Sequence, residues 1–437
     1  MPSNPLERNP ALFVAFSVFF NARFYYPVLG ILFIDLGISL EEYAVLNAVW
    51  AATIIALEIP SGALADLIGR RTMVVAASIL MALELAVLAF APCGAGLFWL
   101  LVVNRILSGA AEACASGADE ALAYDSLPEA EREKKWTAVL ARLVRWTSVS
   151  FFVVMIVGAI AFDANFVNRI CATFGIHTAF SAAQTVRWPV YLTLGTAGLA
   201  VGCSLLMREP PSTRRSTAHP VSGALANIAK AARFVFSSRR ILLLLLAGVL
   251  FDSIIRLFLT FESNYLRLIQ LPEYSYGLIG SGLALLGFPA ASLARRLART
   301  AGPATVAVIL GGILLTGLAG VCAQTPVWGA WVLIPLGLVM PMVGFFLSNY
   351  LNAWTGSELR ATVLSFRGMA LNIGYGLAGI GFASITSSLR HQSPGLPEDD
   401  LFGRTLVVLP AAFIAGALAL TLFSTITKHL QAHPPPR

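Results

Sequence analysis

Charge is scarce in this 437-residue chain: 12% of the residues are charged, against 57% that are hydrophobic. Soluble domains carry about twice that share of charge, so the composition excludes an ordinary soluble globular protein. Cysteine is also scarce. Cys93, Cys114, Cys171, Cys203 and Cys322 show neither paired nor metal-ligand spacing. Four of them lie in or beside apolar runs, where a cysteine acts as a small hydrophobe. A disulfide framework and a metal centre therefore have no support. No nucleotide or haem motif is found and no Walker lysine, which argues against an ATP-driven pump and leaves no cofactor to expect. A cleavable signal is missing too. Met1–Pro10 is polar, and the apolar run from Ala11 is long and ends without a small-residue cleavage site.

What the chain has in abundance is long apolar runs. A crossing needs about 20 apolar residues. That ruler predicts twelve membrane spans, at 11–36, 42–65, 72–92, 96–122, 143–163, 187–207, 241–262, 274–294, 302–323, 327–354, 361–386 and 403–427. The fold class expected is an all-α membrane protein of two six-helix bundles, 1–207 and 241–437. A polar linker, 208–240, joins them. Its residues Leu225, Ile228, Ala232 and Phe236 fall near helical spacing beside Lys230 and Arg233. This predicts a short amphipathic helix lying on the membrane surface.

The net charge of +7 could mean nucleic acid, but in a membrane chain it marks basic cytoplasmic loops. With the N-terminus inside, 21 of the 30 Lys and Arg residues fall on cytoplasmic segments. The opposite side holds only Arg169, Arg187, Arg267, Arg390 and Arg404. The expected topology has both termini in the cytoplasm, and the expected location is a bacterial inner membrane.

The two halves repeat. Leu40-Glu-Glu-Tyr43 recurs as Leu271-Pro-Glu-Tyr274, and Phe20-Asn21 recurs as Phe251-Asp252 at the same offset. Further on, Pro60, Arg70, Cys93 and Trp99 match Pro289, Arg299, Cys322 and Trp328, and Val139-Leu140 matches Val363-Leu364. Any one match is chance. The ordered series points to two related halves in the same orientation, a transporter architecture.

Between the second and third spans stands Gly62-Ala-Leu-Ala-Asp66-Leu-Ile-Gly69-Arg70-Arg71. This Gly-x-x-x-Asp-x-x-Gly-Arg-Arg turn resembles the signature of the major facilitator superfamily, with Leu67 where a basic residue is usual. Arg105-Ile-Leu-Ser-Gly109 resembles the Arg-x-x-x-Gly motif of that family's helix 4. The Gly-Pro pair of many drug–proton antiporters is missing from helix 5. The resemblance implies that Gly62 and Gly69 let two helices approach closely. It implies that Asp66 sits at the N-terminus of helix 11, where the helix dipole favours a carboxylate. It also implies that Asp119 or Asp125 joins Asp66, Arg70 and Arg71 in a charge cluster at the cytoplasmic gate. Helices 1, 4, 7 and 10 would line a central cavity.

Ionisable groups inside a bilayer are costly and are functional candidates by default. On helix 4, Arg105, Glu112, Ser116 and Asp119 fall at helical steps and share one face, either facing the cavity or forming an internal salt-bridge stripe. On helix 7, Asp252 and Arg256 are four apart and can pair, and the repeat sets them opposite Asn21 and Tyr25. By helical geometry Arg23 points away from Asn21 and Tyr25, towards an acid inside the first half. Ser348, Asn349, Tyr350 and Asn352 form a polar cluster on helix 10, and Arg367 lies two turns into helix 11. Gly374 and Ala378 predict close helix packing. Glu58 and Glu84 either take up a proton or serve structurally, since burial disfavours a charged carboxylate.

The candidate substrate-binding residues are therefore Asn21, Tyr25, Arg105, Glu112, Asp252, Arg256, Asn349 and Arg367, with Asp252 and Glu112 as proton-coupling candidates. The function expected is secondary active transport of a small organic solute by alternating access, coupled to a proton. Four intramembrane arginines favour a solute with anionic or carbonyl groups, because arginine binds these bidentately. Export leads over uptake only on the general habit of bacterial members with such a first half. A lipid or lysolipid flippase and a non-transporting sensor on the same fold are the rival readings. No enzyme activity, metal or nucleic acid is expected, and the chain is expected to act as a monomer whose partners are solute, proton and bilayer.

Overall fold

A computed structural model of the chain describes residues 5–176, 178–210 and 220–432. It is all helical among these residues, and eleven of its helices are long and apolar enough to cross a membrane. The chain forms two compact units: 1–224 with 272–281, and 225–271 with 282–437.

In the first unit the expected first span is not one helix. It divides into α1 (Asn9–Phe20) and α2 (Leu29–Asp35), too short singly to be counted among the eleven. α3 (Leu40–Ile68) follows, opened by a capping box in which Ser39 and Glu42 satisfy each other's backbone N–H. That box is the Leu40–Tyr43 repeat seen in the sequence. α4 (Arg70–Phe90) is separated from α3 only by Gly69, held at φ 98°, a conformation that glycine adopts without strain. The expected fourth span is also divided, into α5 (Leu97–Ala115) and α6 (Ala118–Asp125), because Gly117 turns left-handed at φ 74°. α7 (Arg132–Phe162), α8 (Ala164–Thr173), α9 (Ala182–Thr185) and α10 (Trp188–Leu206) complete the run. α4 packs on α5 and α10, α3 on α5, and α1 on α10 and α7. The segment 272–281 clusters with this unit through α7: the backbone N–H of Tyr274 donates to Asp163 at 3.2 Å, and Phe166 stacks on Tyr274 at 4.6 Å.

The linker helix α11 (Pro220–Ser237) does form. Its placement differs from expectation. Ala231 and Val235 are fully buried in a core with Ile241, Leu245, Leu351 and Val363. Phe236 is 66% exposed, and the side chains of Leu225 and Ile228 lie outside the described residues. The buried face is thus one residue, or about 100° of helix, from the face that the spacing suggested. At its described end that face is covered by protein.

The second unit comprises α12 (Arg239–Thr260), α13 (Glu262–Leu268), α14 (Tyr276–Leu285), α15 (Gly287–Thr300), α16 (Pro303–Cys322), α17 (Leu333–Trp354), α18 (Ser357–Gln392), α19 (Glu398–Leu406) and α20 (Val408–Ala432). The first turns of α14 belong to the segment that clusters with the first unit. α12 is central, touching α17, α18 and α20. A Cβ on Gly374 would lie 2.3 Å from Val249 and 2.6 Å from Ser253. α18 therefore approaches α12 as closely as the small-residue spacing predicted.

Candidate functional site

The first unit's polar centre is built around the break between α1 and α2. Pro27 has no N–H to offer the carbonyl one turn earlier, so no continuous helix runs through it, and Tyr26–Val28 form only a short 3-10 turn ahead of α2. Asn21 closes α1, its side-chain amide donating to the Ser17 carbonyl at 2.8 Å. Unpaired backbone in a bilayer is tolerated only where protein or a wet cavity satisfies it. Here the Phe24 N–H donates to Thr193 Oγ1 at 3.0 Å, and Thr196 Oγ1 donates to the Ala22 carbonyl at 3.2 Å. α7 presses against the same point through Gly158, where any Cβ would sit 1.7 Å from the Phe24 oxygen. Two threonines of α10 and one glycine of α7 thus hold the break open.

Arg23 projects from that break into a buried network. Its Nη1 meets Glu84 Oε1 of α4 at 2.5 Å, with side-chain exposures of 6% and 0%. Glu84 Oε2 accepts from Asn104 Nδ2 of α5 at 2.7 Å, and Asn104 Oδ1 accepts from Arg105 Nε at 2.9 Å. The Arg105 guanidinium stands 5.0 Å from the centre of the Phe33 ring, and its Nη2 is buried with no acceptor among the described residues. Tyr25 is buried and meets Tyr26 edge-on at 5.5 Å, while Tyr26 is half exposed. Glu112, exposed two turns beyond Arg105, lies within electrostatic range of Arg23 and Tyr26. Arg23 finds an acid in its own half, as expected. The geometry that places it there is a broken chain, not a helix. The helix-4 stripe is corrected: it ends at Ser116–Gly117, so Asp119 shares no continuous face with Arg105 and Glu112. Both oxygens of Glu84 are engaged.

In the second unit the matching position is mid-helix. Asp252 and Arg256 pair one turn apart on α12 at 2.5 Å, the aspartate 6% and the arginine 25% exposed. The contact joins Arg256 Nη2 to Asp252 Oδ2. Arg256 Nη1 donates to Asn372 Oδ1 of α18 at 2.7 Å, and its guanidinium lies 5.1 Å from the centre of the Tyr375 ring. The Tyr375 hydroxyl meets Thr260 Oγ1 at 2.9 Å. Arg367 of α18 is within electrostatic range of Asp252, and its buried Nε has no partner among the described residues. Asn349 is exposed on α17.

At the α3–α4 turn, Arg70 pairs with Asp125. Asp125 is therefore the acid that joins the basic turn. Asp119 instead accepts from the N–H of its neighbour Glu120. Arg71 donates to the carbonyls of Met207 and Leu205 at the end of α10. Glu209 accepts from the backbone N–H groups of Arg70 and Arg71 at 3.1 and 2.7 Å, an acid at a helix N-terminus. A Cβ on Gly69 would press on that carboxylate, whereas one on Gly62 would meet open space. The close neighbour at Gly69 is thus a carboxylate and not a second helix, and Gly62 has no close neighbour among the described residues. The Asp66 side chain lies outside the described residues. Sequence reasoning missed Pro27, Thr193, Asn104, Glu209, Asn372 and Tyr375. Of these, only Pro27 carried a local signal.

The sequence matches the family model of the Major Facilitator Superfamily over residues 11–379. The chain belongs to the Major Facilitator Superfamily. It is a multi-pass membrane protein and a secondary transporter, not an enzyme. No functionally curated protein matches it. Solved structures share its fold at low identity. The nucleoside transporter NupG aligns with a TM-score of 0.71 at 13% identity, over 96% of this chain and 98% of its own. A bacterial homolog of the human lysosomal transporter Spinster, in an inward-facing unoccupied conformation, gives 0.72 at 14% identity over the whole of both chains. A D-xylose–proton symporter gives 0.64 at 14% identity, over 94% and 97%. These likenesses show the fold alone.

Proposed function

We propose that this chain moves a small organic solute by alternating access, coupled to a proton. The observation that carries the reading is the broken first span. Its irregular backbone and Arg23 are held at membrane depth by side chains of α4, α7 and α10. Discontinuous spans of this kind recur at transporter substrate sites. Tyr25, Arg105 and Glu112 gather around the break, and Asn21 closes it. In the second unit Asp252, Arg256 and Arg367 make the corresponding charged group, and Asn349 adds a polar side chain on α17.

Coupling follows from the Asp252–Arg256 pair. While Arg256 is engaged, the aspartate stays charged. A solute that draws Arg256 away leaves a carboxylate in a desolvated place, where protonation is favoured. Glu112 is the second candidate. We place both termini in the cytoplasm of a bacterial inner membrane, from the Lys and Arg asymmetry. An impermeant thiol reagent should then label Cys171 in intact cells, in a variant lacking the other four cysteines. Labelling only after lysis would reverse the orientation.

The test of the function is a thermal-shift screen of the purified protein with organic acids, sugars, drugs, siderophores and lysolipids. Any ligand of the native state raises apparent stability. The stabilising solute is then assayed for counterflow in proteoliposomes. Saturable counterflow is expected. Binding without any counterflow would favour the sensor reading.

A further inference from the structure

We infer that the transported solute carries a carboxylate, and that this group docks on the outer edge of the Arg105 guanidinium. The inference rests on the transport reading and names the class of solute for it. It begins from an imbalance in the first unit's buried network. Arg23 and Glu84 cancel each other, with one Glu84 oxygen meeting Arg23 and the other taking Asn104. Asn104 then offers Arg105 only an amide oxygen. Arg105 is 6% exposed, and no carboxylate lies within 4 Å of it among the described residues. It is a second full positive charge in the same network without an acid of its own, and arginine cannot shed its proton.

The geometry of that charge decides what suits it. Nε is taken by Asn104, and Phe33 covers a ring-facing side. What is left is the end of the fork, Nη1 and Nη2, with Nη2 buried and without an acceptor. A buried donor left unpaired is costly. Two parallel N–H groups on one edge match the two oxygens of a carboxylate. Glu112 does not fill this role: it is exposed, two turns along the helix, and reaches Arg23 and Tyr26 only at longer range. Arg105 also lies within electrostatic range of Tyr25 and Tyr26. The half-exposed Tyr26 ring therefore offers a flat wall and a hydroxyl beside the docked acid. A purely structural Arg105 would need only the Asn104 and Phe33 contacts, and would not call for a free fork end.

Matched acids and amides separate the two accounts. The purified protein is heated with acetate and acetamide, benzoate and benzamide, nicotinate and nicotinamide, each pair at equal concentration and ionic strength. At least one acid should raise the melting temperature while its amide does not. Arg105→Gln should abolish that shift. Arg105→Lys keeps the charge but not the fork, and should weaken the acid at least tenfold; it serves if the glutamine variant does not purify. Equal protection by acid and amide would overturn the carboxylate assignment, as would undiminished protection in both variants. If acids are silent while a neutral solute shows counterflow, the carboxylate falls and the transport reading stands. If no solute of any class shows counterflow, the transport reading itself falls.

Discussion

The two units of this transporter bury charge in opposite ways. In the first, the pairing arginine sits in a chain break and reaches across to another helix: Arg23 of the α1–α2 break to Glu84 of α4, both almost sealed from solvent. In the second, the pair lies along a single helix, with Arg256 a quarter exposed and shared among Asp252, Asn372 and the Tyr375 ring. The first arrangement ties three helices together and has no slack. The second has an arginine with several partners.

The contrast is sharpest in unfolding measurements. Removing one member of a sealed pair leaves an uncompensated charge, so Glu84→Ala should cost about 3–5 kcal/mol. Asp252→Ala should cost less, about 1.5–3 kcal/mol, because Arg256 keeps Asn372 and Tyr375. Equal losses in the two variants would remove the distinction between the halves. The glycines extend the comparison. Gly158→Ala drives a methyl into the Phe24 backbone oxygen, whereas Gly374→Ala meets the side chains of Val249 and Ser253, which can move. The first should cost about 1–3 kcal/mol, at the upper end of overpacking, and the second nearer its lower end. A smaller effect lies at the α3–α4 turn. Glu209→Ala removes the acceptor from two N–H groups at the start of α4, a capping loss of about 1 kcal/mol. Glu209→Asp should fall between alanine and the native residue, since its shorter side chain reaches less well.

Much of this was legible in the residues. Apolar length located the spans. The i,i+4 spacing foretold the Asp252–Arg256 pair, since both partners lie on one helix. What escaped depended on partners far along the chain. Nothing local marks Glu84 as the acid for Arg23, 61 residues earlier, or Glu209 as the cap of α4. The twelve-span ruler counted apolar residues and so ran straight through Pro27, although that proline was the one written sign of the break. Gly117 was passed over in the same way, which made the helix-4 stripe look a turn longer than it is. In the linker helix the spacing marked Ala232 and Phe236, one residue from the buried Ala231 and Val235.

The central claim is that the second half holds the adjustable charge. It is tested most directly by Asp252→Asn in proteoliposomes, with the solute that survives the thermal-shift screen. The variant should exchange that solute across the membrane at equal concentrations, at close to the native rate, and should fail to accumulate it against a gradient when a pH difference is imposed. Gradient-driven accumulation at the native level in Asp252→Asn would contradict the claim and pass the coupling role to Glu112.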